Sequence, residues 1–164
     1  MLTLQPAQPD TLLALMTLFR DAGQIQQWGG EGFMFPPRRV QFLSRLLLPD
    51  TQSFELLTTD GKLVGFGQLC DRFNCHHLAR LLIVPSARGQ GYAAVLIKQL
   101  IAAGLRENKH KAISLYVFAD NKRALNCYQK LGFQPTRQPA EPRADLLFLQ
   151  LSNQAAHALI QAGN

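Results

Sequence analysis

A glycine-rich turn near the middle of the chain constrains its fold more than any other feature. The residues RGQGYA, Arg88 to Ala93, follow an apolar run, LARLLIV, that ends at Val84. The run is short and rich in branched side chains, which is typical of a buried strand, and Pro85 ends it. The stretch from Tyr92 to Leu105 is apolar except for a Lys-Gln pair, which favours a helix buried on most sides. The sequence therefore predicts a strand, a glycine loop and a helix N-terminus in direct succession.

This arrangement is suited to bind an anion. A helix N-terminus carries unpaired N–H groups and the positive end of the helix dipole. Gly89 and Gly91 have no side chain, so phosphate oxygens can approach the main chain closely. A ligand that bears phosphate is the natural expectation.

Three classes of phosphate-binding protein share this chemistry, and the neighbouring residues discriminate between them. The P-loop is excluded because no Lys-Ser or Lys-Thr follows the second glycine. The dinucleotide fingerprint GxGxxA is matched by Gly89, Gly91 and Ala94, but it needs an acidic residue about 20 positions later. That region, Arg106 to Lys111, is strongly basic apart from Glu107, which argues against the dinucleotide-binding class.

A second segment, NKRALNCYQKLGF from Asn121 to Phe133, has the pattern of a short amphipathic helix. Asn121 is a plausible N-cap, and Gly132 is a plausible C-terminal stop. The residues that share one face at helical spacing are Ala124, Cys127, Tyr128 and Leu131.

Together, IVPSARGQGYA and NKRALNCYQKLGF resemble the GNAT superfamily of N-acetyltransferases, whose loop follows PxxRGxG and whose later helix reads NxxAxxxYxKLGF. The resemblance is specific from Leu78 to Phe133 and generic elsewhere. It implies that acetyl-CoA donates an acetyl group to a primary amine of a small molecule, peptide or protein by direct attack in a ternary complex. The alternative is a catalytically silent acyl-CoA sensor that keeps the loop but loses the chemistry.

The resemblance also implies which residues contact the coenzyme. The family's strand before the loop and the parallel strand after its helix splay apart, and the pantetheine arm lies in the gap. An amide near Ile83 would then face the thioester carbonyl and stabilise negative charge on its oxygen. The implied coenzyme contacts are Leu82, Ile83, Val84, Arg88, Gly89, Gln90, Gly91, Tyr92, Ala93, Asn121, Ala124 and Tyr128.

Two residues are candidates for proton transfer. Tyr128 matches the family tyrosine that can protonate the departing thiolate; the alternative is a core tyrosine. His77 stands where the family often has a glutamate base, four residues before the leucine of its LxVxP stretch. Imidazole is a competent base near neutral pH. Alternatively, His77 is an exposed strand-end residue and a water relay takes the proton. His76 is the weaker candidate, because it is expected on the opposite face of the strand.

The cysteines and histidines near the middle of the chain could alternatively form a metal site. Cys70, Cys75, His76 and His77 lie close together in sequence, but their spacing matches no standard zinc pattern. We therefore predict no metal.

The acceptor side is expected to come from Gln24 to Phe35, which lies between two early helices. Trp28 and Phe33 could clamp a substrate, although aromatic residues more often pack against a sheet. Glu31 could attract an amine cation. These three are the substrate-binding candidates.

The remaining elements predict an α/β (α+β) fold, with a mixed, mostly antiparallel sheet flanked by helices. The order of strands and helices agrees with the mixed sheet of the resembled family. We expect strands at Leu2–Gln5, on both sides of a two-residue Asp60-Gly61 hairpin, from about His76 to Val84, at Ala112–Phe118 and at Asp145–Leu151. We expect a helix from an Asp10 cap to about Asp21, with Gly23 as the stop. A second helix follows Pro36 and Pro37, carries Val40, Leu43, Leu46 and Leu47, and ends before Pro49. The tail SNQAAHALIQ is either a short helix or frayed.

Length and composition predict one domain over residues 1–164: a substrate side at 1–77, a coenzyme core at 78–133 and C-terminal strands at 134–164. No long apolar span, signal peptide or disulfide framework is apparent, so we expect a cytoplasmic protein with no membrane partner. The net charge of +6 comes without a nucleic-acid-binding signature, so no nucleic acid is expected. The family resemblance allows a homodimer.

Overall fold

The computed structural model describes residues 1–163, which form one central sheet with helices on both faces. The strands of this part of the chain are β1 (Leu2–Pro6), β2 (Thr51–Thr58), β3 (Leu63–Arg72), β4 (Cys75–Ile83), β5 (Ala112–Phe118), β6 (Gln134–Thr136) and β7 (Leu146–Leu151). Its helices are α1 (Pro9–Leu15), α2 (Ala22–Gly29), α3 (Arg39–Leu46), α4 (Tyr92–Glu107), α5 (Lys122–Lys130) and α6 (Asn153–Ala162).

The seven strands are ordered β1-β2-β3-β4-β5-β7-β6. Every neighbouring pair is antiparallel except β4 and β5, which the α4 crossover makes parallel. The predicted mixed, mostly antiparallel sheet is therefore confirmed. The parallel pair lies in the middle of the sheet, where its two strands can separate without exposing an outer edge.

Each face of the sheet has its own hydrophobic core. Helix α4 packs on β3, β4 and α6, and its buried residues include Leu96, Leu100 and Ile101. The opposite face carries α1, α2 and α3, whose buried Leu15 and Phe42 pack in a second core with Phe66 of β3 and Leu82 of β4. Strand β4 is therefore covered on both sides, which explains why Leu81, Leu82 and Ile83 follow one another in its second half.

The first predicted helix is wrong in its extent, because α1 ends at Leu15 and a separate helix, α2, begins at Ala22. Helix α1 begins after Gln8 with Pro9 at its first position, so Asp10 lies in the first turn and is not the cap. Asp21 instead caps α2: its carboxylate accepts a hydrogen bond from Gln24 N at 2.8 Å, and Gln24 Oε1 accepts from Arg20 N at 2.8 Å. Gly23 is thus inside a helix and not a stop. The D-x-x-Q spacing is a capping-box signal that could have located this second start.

The second predicted helix is confirmed as α3. Phe42 and Leu46 are fully buried and anchor it in the second core, whereas Val40 and Leu47 are 82% and 59% exposed. Of the apolar residues that the sequence places on this helix, Leu46 and Leu43 therefore pack inward.

The hairpins also differ in detail. The β2–β3 hairpin forms at Asp60-Gly61, but its loop spans 59–62 and Thr58 N donates to Lys62 O at 2.9 Å. A second hairpin joins β3 to β4 through Phe73 and Asn74, both with positive φ, and its turn contains no glycine that would predict it.

The C-terminal part of the chain contains one element that the sequence did not predict, the short strand β6. The tail forms the helix α6, which Ser152 caps. Within residues 1–163, the structure contains no helix that is both long and apolar enough to cross a membrane.

Candidate active site

The glycine loop presents free backbone donors at the start of α4. A 3-10 turn, Pro85–Ala87, follows β4, and Gly89 and Gly91 then adopt φ values of 81° and 77°. Within residues 1–163, the amides of Gly89, Gln90 and Gly91 donate to no other protein group, and the first-turn amides of α4 have no acceptor within the helix. A Cβ built on Gly89 or Gly91 would meet no atom within 4 Å. The loop is therefore an open, electropositive backbone cradle.

Arg88 ties this cradle to the preceding strand. Its Nε donates to the carbonyl oxygen of Ile83 at 3.0 Å, while the side chain remains exposed. Tyr92 is half-buried, and Ala93 is exposed at the first turn of the helix. The predicted loop residues therefore lie together around one helix N-terminus.

Strands β4 and β5 separate beyond their first four residue pairs. They pair from Cys75–Ala112 to Leu78–Leu115 and no further, although both strands continue. At the separation point, β4 bulges: the register with β3 shifts between Phe66 and Gln68, and Arg80 has a φ of 51°. Leu82, Ile83 and Val84 consequently line a gap in the middle of the sheet.

The backbone of Ile83 faces this gap. Val84 N donates to Val64 O at 3.0 Å, and Ile83 lies opposite Gly65 in the next pair of the ladder. Hydrogen-bonded and non-hydrogen-bonded pairs alternate along an antiparallel ladder, so the Ile83 amide points away from β3. Its carbonyl, which accepts from Arg88, points the same way. A free amide donor is thus present where a thioester oxygen would lie.

Helix α5 contributes the other wall. Asn121 caps it, with Oδ1 accepting from Ala124 N at 3.3 Å, as the sequence predicted. Tyr128 packs against Phe133, with ring centroids 6.2 Å apart. Burial raises the pKa of Tyr128 to about 12, so its phenol is protonated throughout the neutral range. In the described part of the chain, the Tyr128 hydroxyl makes no hydrogen bond and is available to a ligand.

A cavity of about 380 Å³ lies between the start of α4 and α5. It is lined by Ala94, Arg123, Asn126, Cys127, Lys130 and Leu131. Two cationic side chains in a cavity beside the free loop amides suit a ligand with several phosphates. The residues present therefore fit a coenzyme A molecule.

His77 is not the exposed strand-end residue that one interpretation of the sequence expected. It is 4% exposed, and its Nδ1 lies 2.8 Å from Ser114 Oγ on β5. Rings of Phe73, Tyr116 and Phe148 surround it, with centroids 4.9 to 6.2 Å away. Desolvation, with a smaller contribution from nearby arginines, lowers the pKa of His77 to about 4, so its imidazole is neutral at pH 7. The role of His77 as a catalytic base stays a prediction.

The residues of the alternative metal site face different ways. His76 contacts α4, where a Cβ on Gly104 would lie 2.9 Å from the His76 ring, so it is on the opposite face from His77 as expected. Cys75 accepts a hydrogen bond from Gln150 Nε2 at 3.2 Å. No group of three or more His, Cys, Asp or Glu side chains in residues 1–163 is arranged to hold a metal ion.

The acceptor candidates lie on the α1–α3 face. Phe33 is 2% exposed and packs edge-on against Phe42, which is the packing alternative. Trp28 Nε1 donates to the carbonyl oxygen of Arg80 at 2.9 Å and so holds the bulge of β4. The Glu31 side chain is 85% exposed and lies 3.8 Å from Arg143 Nη1, which brings the β6–β7 connection close to the α2–α3 connection. Contact of these three residues with substrate stays a prediction.

Sequence reasoning missed Arg80 and Ser114. Arg80 is the one charged residue in LARLLIV, and a charge inside a buried strand is a signal that could have found it. Ser114 carries no such signal, because its role depends on the register of β4 with β5.

The fold and the site define a class of protein that binds an acyl-coenzyme A in a split sheet. The model of the acetyltransferase (GNAT) family matches residues 14–133, well over half of the chain. The protein therefore belongs to the GNAT family and is an acyltransferase that uses acetyl-CoA to acetylate an amine. The predicted family, fold, enzyme class and co-substrate are confirmed.

Solved structures show the same fold at low sequence identity. Spermidine N-acetyltransferase from Vibrio cholerae, solved with CoA and spermine, superposes with a TM-score of 0.76 at 17% identity, covering 95% of this chain and 98% of that one. A spermidine/spermine N-acetyltransferase structure from the same organism, solved with manganese ions, gives a TM-score of 0.71 at 17% identity, covering 96% and 95% of the two chains.

Proposed function

We propose that this enzyme transfers the acetyl group directly from acetyl-CoA to a primary amine of a small molecule or peptide while both are bound. The gap between β4 and β5, with the free loop amides at its mouth, is the observation that carries the proposal. It offers one path along which the donor can lie and the acceptor can approach from the α1–α3 face. We further propose the division expected from the sequence: a substrate side at residues 1–77, an acetyl-CoA-binding core at 78–133, and C-terminal strands and tail at 134–164.

The donor contacts are assigned to backbone groups where the backbone is free. The amides of Gly89 to Ala93 would hold the pyrophosphate, with Arg88, Gln90 and Tyr92 around it. The main chain of Leu82, Ile83 and Val84, together with Asn121 and Ala124, would position the pantetheine arm. Acetyl-CoA supplies an acyl group activated as a thioester, and the Ile83 amide would stabilise negative charge on the thioester oxygen during attack.

Tyr128 would serve as the acid for the leaving thiolate. A phenol with a pKa of about 12 carries its proton at any pH at which the enzyme works. The same burial raises the pKa of the neighbouring Cys127 thiol, and it would raise that of a coenzyme thiol at this position. Burial therefore raises both the pKa of the phenol and the pKa of the leaving thiol, so the phenol can still donate its proton to the thiolate.

Deprotonation of the amine is assigned to a water relay at the mouth of the gap. An alkyl ammonium with a pKa of about 10.4 must lose its proton before attack. His77, with a pKa of about 4, is too weak a base to take that proton to a useful extent. We propose that His77 instead positions the wall of the gap through its contact with Ser114.

Direct attack is favoured over an acetyl-enzyme because the cysteines are poorly activated. Burial raises the pKa of Cys70 and of Cys127, so neither is a ready thiolate. Transfer to a cysteine is therefore not expected. We also propose that the protein is cytoplasmic and that it forms a homodimer.

The proposal is tested by measuring thiol release from acetyl-CoA with a panel of amines, amino acids and peptides. Release that depends on the amine, with no acetylated protein detected by mass spectrometry when amine is omitted, supports direct transfer. Binding of acetyl-CoA without acetylation of any amine would favour the silent sensor instead.

A further inference from the structure

Arg80 lies where the sheet opens. It lies in the bulge of β4, two residues beyond Leu78, the last residue that pairs with β5. Its Nη1 donates to Gln68 Oε1 at 2.9 Å, and its Cζ lies 5.6 Å from the centroid of the Phe33 ring. Gln68 is in turn held by its amide nitrogen, which donates to Leu46 O and Ser53 Oγ, both at 3.0 Å. The guanidinium is therefore fixed on the α1–α3 face by a built set of neighbours.

This guanidinium has no acidic partner among residues 1–163. Its contacts are a neutral amide and an aromatic face, and its Nε is buried without any hydrogen-bond acceptor. Arginine remains charged at neutral pH, so the missing acceptor leaves a desolvated donor and an uncompensated charge. A buried donor without an acceptor is costly, and bound ligands commonly supply the missing atom.

Arg45 of α3 adds a second positive charge to the same place. Its guanidinium lies on Gly32, beside Phe33, and a Cβ on Gly32 would come within 2.6 Å of Arg45 Cζ. It forms no ion pair in the described part of the chain. Burial lowers the pKa of Arg80, and the charges of Arg72 and Arg45 lower it further. Two unpaired arginines thus converge on the acceptor side of the gap.

The acidic residue nearest in sequence does not balance them. Glu31 is exposed and already faces Arg143 across the rim. From Arg20 to Arg45 the chain has four arginines and two acidic residues, and one of the two, Asp21, caps α2. The segment from Arg20 to Arg45, which surrounds the two arginines in sequence, is consequently net positive, and this disfavours a polycationic acceptor beside them.

We propose that the acceptor amine of this enzyme carries an anionic group, a carboxylate or a phosphate, which Arg80 and Arg45 bind. The inference rests on the proposed function, because it names the substrate class of the same site. The planar guanidinium fork matches both anions and donates two parallel hydrogen bonds. Arg80 precedes Ile83 by three residues, at most about 10 Å along a strand, so the proposed anion site and the proposed oxyanion donor belong to the same short segment of β4.

The experiment compares acceptors with and without an anionic group. The pairs are amino acids with their amides, and phosphoethanolamine with ethanolamine; spermidine is the polycationic reference. We expect kcat/KM to favour the anionic member of at least one pair by about 10- to 100-fold, the usual range for a hydrogen bond to a charged group. The pair with the larger preference distinguishes carboxylate from phosphate.

Variants assign the preference to the arginines. Arg45→Gln and Arg80→Gln should each lower the ratio of kcat/KM for the anionic acceptor to kcat/KM for its neutral partner. Arg45 is exposed, so its replacement tests the idea even if Arg80→Gln disturbs the bulge. Arg39→Gln is the matched control: it removes an exposed arginine from the same helix, about 120° away around its axis, and should change neither value.

The outcomes separate this inference from the proposed function. If neutral acceptors or spermidine are acetylated as well as the anionic ones, the inference is overturned and the function stands. If acetyl-CoA binds but nothing is acetylated, direct transfer fails, and calorimetry with the N-acetylated members of each pair decides the inference. Binding of the anionic members that Arg45→Gln weakens supports the inference; equal binding of both members overturns it.

Discussion

The two sides of the active site are built by different means. The proposed donor side, the segments 82–93 and 121–128, presents mostly backbone: free amides at Gly89 to Gly91 and the Ile83 amide in the gap. The acceptor side presents side chains held by distant partners, as when Trp28 supports Arg80 or Glu31 meets Arg143. A backbone site serves any enzyme that uses the same coenzyme, whereas a side-chain site can differ between enzymes of one fold. This difference explains why the co-substrate can be identified from the sequence and the acceptor cannot.

The sharpest test of the donor side is Tyr128→Phe. Removing the acid should lower kcat by about 10²- to 10⁴-fold, the usual contribution of a general acid, without changing the affinity for coenzyme A. Because the pKa of Tyr128 is about 12, the wild-type rate should show no fall from loss of this proton below pH 11. Steady-state rates against pH and calorimetry with coenzyme A check both points; a small change in kcat would remove the acid role.

On the acceptor side, the test concerns His77 and pH. A histidine whose folded pKa of about 4 lies below its unfolded value of 6.5 binds its proton more tightly when unfolded. Its stabilising effect is therefore full above pH 6.5 and is lost as pH falls toward 4, by about 2 to 3 kcal/mol at pH 4.5. Urea unfolding of the wild type and His77→Gln at pH 7.5 and 4.5 measures this loss, which the variant should lack.

The same variant tests the proposed water relay. If His77→Gln keeps most of its turnover at pH 7.5, His77 positions the wall, as proposed. Loss of turnover by more than about 100-fold, with unchanged binding of coenzyme A, would restore His77 as the base.

A smaller effect is expected for the glycine loop. Gly91→Ala places a Cβ where the phosphate would approach and should weaken coenzyme A binding about tenfold. Gly61→Ala, in the β2–β3 turn, is the matched control, since Gly61 also has a positive φ and open space around it. Both changes should reduce stability by about 1 to 2 kcal/mol. Equal effects on coenzyme affinity would argue against the backbone cradle.

The smallest effect is expected for Glu31→Gln. If Glu31 attracts the amine, its exposed carboxylate should lower KM by no more than about two- to threefold, so the substitution should raise KM by that amount. Glu141→Gln, which removes an exposed acid that forms no ion pair within residues 1–163, is the control. An unchanged KM would remove Glu31 from the list of substrate contacts.

The same contrast explains how much the sequence could predict. The loop, the Asn121 cap and the strand Ala112–Phe118 depend on neighbours in sequence, and the structure confirms them. The burial of His77 depends on Ser114, 37 positions away, and on the Phe73-Asn74 turn, which has no glycine to announce it. Arg80 depends on a bulge that local propensity does not specify. Local rules therefore predicted the donor side, and long-range packing decided the acceptor side.

Backbone hydrogen exchange with and without acetyl-CoA tests the central claim most directly. The account predicts that acetyl-CoA slows amide exchange in the segments 82–93 and 121–128, while exchange from 24 to 35 changes little until an acceptor is added. Protection confined to other segments, or none at 82–93 with the coenzyme bound, would contradict a donor site made from the backbone of the glycine loop and the gap.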